Sequence, residues 1–487
     1  MTIQIAIIIG LAIYAVLMLG VSVFFMLRVK KPTDYLLAGR GMPTYLITAS
    51  IFTTAIGTGT VIGGTGMAYA HGWAGSSYPI ALGFGTLVAG LMFAVMRKYK
   101  FMTLSEEIIC YYSKNRAVVE FSNVSLFISQ IFWLTVQILG GTAVLAVATG
   151  MPRELCLLIA GVVTALIAIP GGVKTVIYTD FIQAGILLTG FGMLIYVALG
   201  NSGGLSGLTQ DIDPDRLSFL GMKSAGIWTV VGLMTAMILS NITDPGRRLV
   251  MYTARSAKGA KTAMVVAGAL VIAFSVVIGI IGIYIFKINP NITIRDQALP
   301  WLVMNELPIL IAAMVVVTLV TVSISSATTN VSTVGTIFVR NIYPLITGGR
   351  FPKNPILTVR IVLVVSFIVA MSIGFLTKNI VDFIGKFLPV TMSGLAIILV
   401  VGRYWKRATW QGALAALITT PTVSLAIMFS PLENSFWGTP AIMSMIAGVV
   451  AHFVVSLSTP PRTDSFEQVV EEMHQSRKAI EEAKIND

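Results

Sequence analysis

The chain contains 487 residues, of which 56% are hydrophobic and only 11% are charged, and its mean hydropathy is +0.86. Soluble domains carry about 25% charged residues, so this chain cannot cover its surface with ions and must face lipid. Its net charge of +12 does not indicate a nucleic-acid partner, because Lys and Arg lie in short segments between apolar runs, where they act as topology signals. The composition therefore excludes a soluble enzyme and favours a protein embedded in the bilayer.

Hydropathy predicts a membrane span wherever an apolar run approaches about 20 residues. The runs lie, in chain order, at 4–27, 46–70, 75–96, 120–149, 154–170, 178–199, 225–243, 262–286, 307–338, 355–377, 381–402, 409–430 and 438–457. The first run lacks a basic segment and a cleavage site, so we interpret it as a permanent span rather than a signal peptide. We therefore expect an all-α polytopic protein of about thirteen transmembrane helices in a cell membrane, the inner membrane of a bacterium.

The basic residues between the spans predict the orientation. Only seven of the 33 Lys and Arg residues fall in segments that are outside if the N-terminus is outside. These seven are Arg153, Arg216, Lys223, Lys287, Arg295, Lys378 and Lys386. Because Lys and Arg accumulate on the cytoplasmic side, the sequence predicts that the N-terminus is outside and the C-terminus inside.

Metal clusters and catalytic motifs are not indicated. The two cysteines and three histidines are too few and too scattered for a disulfide framework or a redox centre. Neither the HExxH nor the GxSxG pattern occurs inside the predicted spans. We therefore expect a carrier and not an intramembrane enzyme.

The second span, over residues 49–66, is unlike a helix that faces lipid. It contains five threonines and five glycines, from Gly57 to Gly66. Each glycine weakens a helix by roughly 1 kcal/mol relative to alanine. One interpretation is a packing face of small residues. The other is an unwound segment whose carbonyls bind an ion and whose amides bind a solute.

The ninth span favours the second interpretation. From Thr321 to Thr333, nine of thirteen residues are polar and none is charged. Positions 322, 325, 326, 329 and 333 form one stripe of the helix. Neutral hard oxygens suit a hard cation, and carriers coupled to protons usually place carboxylates or histidines inside the membrane. The acidic residues near the spans, Asp180, Asp244 and Asp382, lie towards predicted helix ends. We therefore expect sodium rather than protons as the coupling ion.

Three motifs in the chain resemble those of the sodium:solute symporter family. The segment from Asp34 to Arg40 (DYLLAGR) is similar to that family's entry to its first core helix, and residues 171–183 are similar to its GG-x-x-A-V-x-x-T-D-x-x-Q signature, with Thr175 at the usual Ala. The run from Ser325 to Phe338, followed by Arg340-Asn-Ile-Tyr343, resembles the family's sodium-site helix. The likeness extends over nearly the whole chain.

The resemblance implies a fold of two inverted five-helix repeats of the LeuT type. It divides the chain into an N-terminal peripheral helix and cytoplasmic loop (1–45), a first repeat (46–199), an extracellular loop (200–224), a second repeat (225–402), C-terminal peripheral helices (403–458) and a cytoplasmic tail (459–487). Within the tail, Ser465 and Gln468 are spaced as a capping box that begins a short helix.

The same resemblance implies a set of sodium ligands. They are the backbone carbonyls of Thr53, Ile56 and Val322 and the hydroxyls of Ser325 and Ser326. Some family members bind a second sodium, whose ligands here correspond to Asp180, Thr328 and Thr329. For Asp180 a helix cap or a salt-bridge residue is an equally good interpretation.

The solute is expected beside the break in the second span. Candidate contacts, each also compatible with plain packing, are Thr60, Ser76, Ser77, Tyr78, Trp133, Gln137 and Thr235. The segment from Thr54 to Tyr69 and the pair Phe132-Trp133 are also similar to the choline-transporter branch. A quaternary ammonium needs an aromatic cage, yet Ala55 and the segment 243–246 stand where that branch has tryptophans.

The sequence therefore predicts a sodium-coupled symporter that imports a small polar organic solute, such as an amino acid or a carboxylate, by alternating access. Its expected partners are sodium, the solute and the lipid bilayer, with no nucleic acid. The alternatives are a choline-like organic-cation transporter of the same family and a transporter-derived sensor, against which the short tail counts.

Overall fold

The computed structural model describes residues 3–26, 38–168, 173–219, 221, 223–431, 439–462 and 464–475. Across these ranges the protein is helical and forms no β-strand, although Met42 and Ala254 make one isolated bridge. Within the described ranges, ten helical stretches are long and apolar enough to cross a membrane. The expected all-α polytopic class is confirmed, whereas the number of thirteen spans and the orientation remain predictions.

The described residues of the first half of the chain form seven principal helices. They are α1 (Ile3–Met26), α2 (Thr44–Ala55), α3 (Gly64–His71), α4 (Ser77–Phe93), α5 (Arg116–Thr149), α6 (Arg153–Ala168) and α7 (Val173–Ser202). Shorter helical segments are Ala38–Arg40, Gly59–Gly63, Gly72–Ser76, Ala94–Tyr99, Leu104–Tyr111, Gly204–Thr209 and Pro214–Leu217.

In the second half, the part that the structure describes forms eight principal helices. They are α8 (Ile227–Thr243), α9 (Pro245–Tyr252), α10 (Ala257–Ile288), α11 (Ile309–Ile337), α12 (Pro355–Leu376), α13 (Ile380–Tyr404), α14 (Trp410–Met428) and α15 (Ala441–Ser458). Shorter segments are Arg295–Gln297, Ala298–Asn305, Phe338–Ile342 and Tyr343–Ile346. A further helix covers residues 466–475.

Every span predicted from hydropathy overlaps one of these helices, but several helices extend beyond the apolar run. The side chain of Asn115 accepts a hydrogen bond from the amide of Val118 and so begins α5 at Arg116, before the apolar run at 120. Hydropathy cannot detect such polar first turns, because they lie outside the apolar segment. Residues 34–37 and 171–172, which belong to two of the family motifs, lie outside the described residues.

The polar face of α11 is buried within the bundle. This helix packs against α1, α2, α5 and α7, so its serines and threonines face other helices rather than lipid. The side chains of Ser325 and Ser326 are almost completely buried. Burial of so many hydroxyls is tolerated because each can bond to its own helix or to a neighbouring segment.

Two arginines that the sequence places among the cytoplasmic charges are internal. Arg247 and Arg248 are both buried. Arg248 forms an ion pair with Glu107 at 3.2 Å, and Tyr252 donates a hydrogen bond to the same carboxylate at 2.7 Å. These two cations were therefore wrongly counted as surface charges, because a charge that directly follows an apolar run looks the same in sequence whether it is buried or exposed.

The predicted capping box in the tail is confirmed. The amide of Ser465 donates to Oε1 of Gln468 at 2.8 Å, and the amide of Gln468 donates to Oγ of Ser465 at 3.2 Å. The helix that follows packs on the bundle, and Phe466 stacks on Tyr111 with ring centroids 5.2 Å apart. The tail is thus attached to the segment between α4 and α5.

Candidate ion and solute site

The second span is broken at the position that its glycines indicate. Helix α2 ends at Ala55, and Ile56 leaves the helical conformation with φ −89° and ψ 52°. A wider turn over Gly59–Gly63 then leads into α3. The interpretation of this segment as an unwound helix is thereby favoured over a continuous packing face.

The break leaves carbonyl oxygens without donors. The amide of Thr58 donates to Oε1 of Gln137 at 3.1 Å, and the amides of Thr60 and Val61 both donate to the carbonyl of Gly57. Within the described chain, no amide or side chain donates to the carbonyls of Thr53 or Ile56. Two oxygens predicted to bind sodium are therefore free of hydrogen bonds inside the bundle, where an unsatisfied carbonyl is costly unless it has a partner.

A carboxylate lies next to the predicted sodium hydroxyls. Asp180 is fully buried, and its Oδ1 accepts a hydrogen bond from Oγ of Ser325 at 2.5 Å. Its other oxygen, Oδ2, accepts a hydrogen bond from Ser50 on α2. Asp180 lies two turns inside α7 and forms no ion pair within the described chain, so it is neither a helix cap nor a salt-bridge residue.

The remaining predicted ligands surround the same place. Ser326 Oγ lies 3.4 Å from the carbonyl of Thr54, and a Cβ on Gly57 would approach that hydroxyl to 2.7 Å. Val322, one turn earlier on α11, is buried as well. The contact between Ser326 and Thr54 therefore brings the end of α2 against the hydroxyls of α11.

The two threonines assigned to a second sodium make their hydrogen bonds to groups other than Asp180. Thr328 donates to the carbonyl of Ser325 in its own helix at 2.7 Å. The hydroxyl of Thr329 lies 3.4 Å from that of Thr54. Asp180 instead contacts Ser325, which belongs to the first predicted site, so this arrangement groups the carboxylate with the first site.

A narrow cavity lies beside the break. Four of the seven candidate solute residues line it: Thr60, Tyr78, Trp133 and Gln137. Ser326 also lines it, so the predicted ion site and the cavity share a wall.

The other three candidate solute residues lie elsewhere. Oγ of Ser76 and Oγ of Ser77 are buried without hydrogen-bond partners among the described residues, and Ser76 packs near Gly279 of α10. Thr235 is half-buried and donates to the carbonyl of Val231 in its own helix at 2.8 Å. None of the three is among the residues that line the cavity.

A second helix break contributes residues that the sequence analysis did not identify. Helix α8 ends at Thr243, and Asp244 caps the next helix by accepting from the amides of Gly246 at 2.8 Å and Arg247 at 3.2 Å. Asp244, Arg247 and Asn330 all line the cavity. The Asp-Pro-Gly sequence was the available signal, because an N-cap followed by proline begins a new helix.

The oxygen set fits a hard monovalent cation. Among the described residues, no group of three or more His, Cys, Asp or Glu side chains is placed to hold a metal. The candidate oxygens are two free carbonyls and neutral hydroxyls, with one carboxylate beside them. Low ligand charge and oxygen-only chemistry favour sodium over a transition metal.

Comparison with known proteins identifies the family. A family model described as the sodium:solute symporter family matches residues 35–420. The sodium/glucose cotransporter of Vibrio parahaemolyticus is 25% identical, covering 93% of this chain and 90% of that protein. The sodium/pantothenate symporter of Escherichia coli is 24% identical, covering 93% and 96% respectively.

Solved structures show the same fold. A sodium-coupled sialic acid symporter in a substrate-bound outward-open state aligns with a TM-score of 0.79 at 18% identity, covering 95% of this chain and 99% of that one. Mhp1, a nucleobase-cation-symport-1 family transporter, aligns with a TM-score of 0.58 at 14% identity, covering 91% and 99%. The inverted-repeat transporter fold implied by the motifs is confirmed, and the repeat boundaries remain predictions. The chain therefore belongs to the sodium:solute symporter family, and it is a multi-pass membrane carrier, not an enzyme, with sodium as its coupling ion.

Proposed function

We propose that this carrier imports a small polar organic solute, which binds in the cavity between the breaks of the second and seventh spans while sodium binds at the end of α2. The relatives are named for different solutes, so their names do not choose among substrates. The observation that carries the proposal is the pair of donor-free carbonyls, Thr53 and Ile56, inside a bundle with the Ser325–Asp180 pair close by.

Sodium and solute share structural elements in this arrangement. Ser326 belongs to the sodium set and also lines the cavity. Gln137 lines the cavity and holds the amide of Thr58 at the break. A cation bound to the carbonyls at the break would fix the backbone that forms one wall of the solute cavity. Because binding free energies are reciprocal, solute would then raise the affinity for sodium by the same factor.

The choline-like alternative has one observation in its favour. Trp133 and Tyr78 both line the cavity and offer aromatic faces to a cation. However, Ala55 and Asp244 occupy two positions where further aromatic walls would be needed, and the cation Arg247 lines the same cavity. Repulsion between the guanidinium and a quaternary ammonium disfavours that substrate class.

Uptake into proteoliposomes tests the proposal. Purified full-length protein should accumulate radiolabelled solute when an inward sodium gradient is imposed, and it should do so poorly with an equal potassium gradient. Equally fast uptake driven by a proton gradient in sodium-free buffer would contradict the assignment of the ion. Liposomes without protein serve as the control for leakage.

A further inference from the structure

We propose that the guanidinium of Arg247 binds a carboxylate group of the transported solute, so that the substrate class is small organic carboxylates. This inference rests on the proposed function, because it assigns the charge of the solute that occupies the same cavity. Arg247 is the first cation after the break between α8 and α9, and it lines the cavity together with Gln137 and Asn330.

Arg247 is buried but has unused donors. Its residue is only 3% exposed, and Nε and Nη1 have no hydrogen-bond acceptor among the described residues. A buried guanidinium with unmade hydrogen bonds is costly even beside a carboxylate, since nothing replaces the lost hydration of those N–H groups. A site that retains such a group is best explained by a ligand that supplies the acceptors. Guanidinium and carboxylate match in planar geometry and can form two parallel hydrogen bonds.

Asp244 fixes the guanidinium without using up its donors. Nη1 of Arg247 lies 3.3 Å from Oδ2 of Asp244, while Oδ1 accepts from the backbone amides at the start of α9. The carboxylate therefore orients the arginine and neutralises its charge in the absence of solute. A carboxylate solute would bring one additional negative charge into the bundle, which a sodium ion bound nearby can compensate.

Arg248, the next residue, has a structural role and differs from Arg247 in its hydrogen bonds. Both terminal nitrogens of Arg248 have acceptors, Glu107 at 3.2 Å and the carbonyl of Ile242 at 3.2 Å. Its guanidinium also lies 4.0 Å from the ring centroid of Phe93. Among the described residues, both terminal nitrogens of Arg248 thus have acceptors although its Nε has none, whereas Arg247 lines the cavity with Nη1 as well as Nε unbonded.

The test compares carboxylates with their own amides. Full-length protein in detergent is titrated with acetate, lactate, succinate, L-proline and L-glutamate, with the corresponding primary amides, and with glucose and choline. Thermal unfolding is followed in sodium and in potassium. We expect at least one carboxylate to stabilise the protein in sodium, and its amide to bind about tenfold more weakly or worse, because a charge-assisted hydrogen bond is lost.

Variants separate recognition from folding. Arg247→Gln should lose the carboxylate response and keep the stabilisation by sodium alone, and Arg247→Lys should retain part of the carboxylate response. Arg255→Gln changes an exposed arginine shortly after the end of α9, and this variant should respond like the wild type. The carboxylate–amide comparison uses only wild-type protein, so it stands even if Arg247→Gln does not fold.

Each other outcome contradicts a different statement. Unchanged carboxylate affinity in Arg247→Gln would overturn the assignment of this residue. Stabilisation of the wild type by glucose or choline, or by no carboxylate in the panel, would overturn the substrate class and leave the sodium response intact. Absence of any sodium-dependent stabilisation would instead contradict the proposed sodium site.

Discussion

The hydroxyl of Ser325 on α11 donates a hydrogen bond to the carboxylate of Asp180 on α7, with the two oxygens 2.5 Å apart. These residues are 145 positions apart in sequence and are both fully buried. Asp180 also accepts from Ser50 of α2, so one carboxylate connects three helices next to the donor-free carbonyls. A cation bound at those carbonyls would therefore be close to a negative charge inside a low-dielectric bundle, where such an interaction is strong.

Removing the hydroxyl of Ser325 should weaken sodium binding. In Ser325→Ala the ion loses one oxygen ligand and Asp180 loses a donor. A buried partner left unmade costs about 1–3 kcal/mol, so the sodium concentration for half-maximal uptake should rise roughly 5- to 150-fold. Ser332→Ala, on the same helix and not in the cavity lining, should leave it unchanged. Equal sodium dependence in both variants would show that the serine only packs helices.

Asp180→Asn distinguishes one bound sodium from two. If the carboxylate binds an additional ion, the Hill coefficient for sodium should fall towards one in uptake assays. If it only accepts the hydrogen bonds of Ser50 and Ser325, the variant should have less thermal stability and an unchanged Hill coefficient. Asparagine keeps one acceptor oxygen, so a structural role would be partly preserved.

The break in the second span requires a residue without a side chain at position 57. A Cβ there would lie 2.7 Å from Oγ of Ser326 and 3.2 Å from Nε2 of Gln137. Gly57→Ala should therefore displace both side chains, raising the sodium requirement and the KM for solute together. Gly185→Ala on α7, where a Cβ meets nothing within 4 Å, is the matched control and should transport normally.

Cysteine labelling tests the orientation predicted from the basic residues. Both native cysteines, Cys110 and Cys156, are buried, so the background should be low. A cysteine at the exposed Asn291 should react with an impermeant thiol reagent added to intact cells, and one at the exposed Ser256 should react only after permeabilisation. The opposite pattern would reverse the topology.

Asp296 should make stability depend on pH. It lies in the turn Arg295–Gln297, where burial raises its pKa above the ordinary value of about 3.9. Oδ2 accepts from the amide of Ile380 at 2.7 Å, and Oδ1 has no hydrogen-bond partner in the described part of the chain. The folded protein binds the proton of the Asp296 carboxyl more tightly than the unfolded chain does. Protonation of Asp296 therefore stabilises the fold fully below the ordinary pKa, and this stabilisation is lost as pH rises through the raised pKa.

The measurement for Asp296 is the thermal unfolding temperature in detergent as the pH is raised from below the ordinary pKa of an aspartate. The wild type should lose stability there as pH rises, relative to Asp296→Asn, which cannot titrate. Parallel profiles for the two proteins would show that another group is responsible.

The parts of the site that could be predicted from sequence have local signals. The unwound segment around Gly57 is indicated by its glycines, and the polar face with Ser325 and Ser326 by its helical period. Ser50 gave no such signal, since a single serine in an apolar helix usually bonds to its own backbone. Its contact with Asp180 arises only when α2 and α7 pack together.

Arg247 was missed for a different reason. Hydropathy treats a cation after an apolar run as a flanking charge, although α9 continues into the bundle and buries it. Helix α8 ends before Asp244, and α9 begins directly after it with Asp244 as its N-cap. The apolar segment therefore ends at a break inside the bundle and not at its surface. Composition cannot distinguish a helix that leaves the membrane from one that is interrupted inside it.

The ion pair between Arg247 and Asp244 also determines how much electric current the carrier produces. The pair belongs to the protein and has no net charge, so the charge moved in each cycle equals that of the sodium ions plus that of the solute. One sodium with one monocarboxylate would generate no current, and the membrane voltage would then add nothing to accumulation. A second sodium would leave one uncompensated charge, which gains ~2.3 kcal/mol per 100 mV of inside-negative potential. A voltage-clamp recording during uptake therefore reports the ion stoichiometry directly.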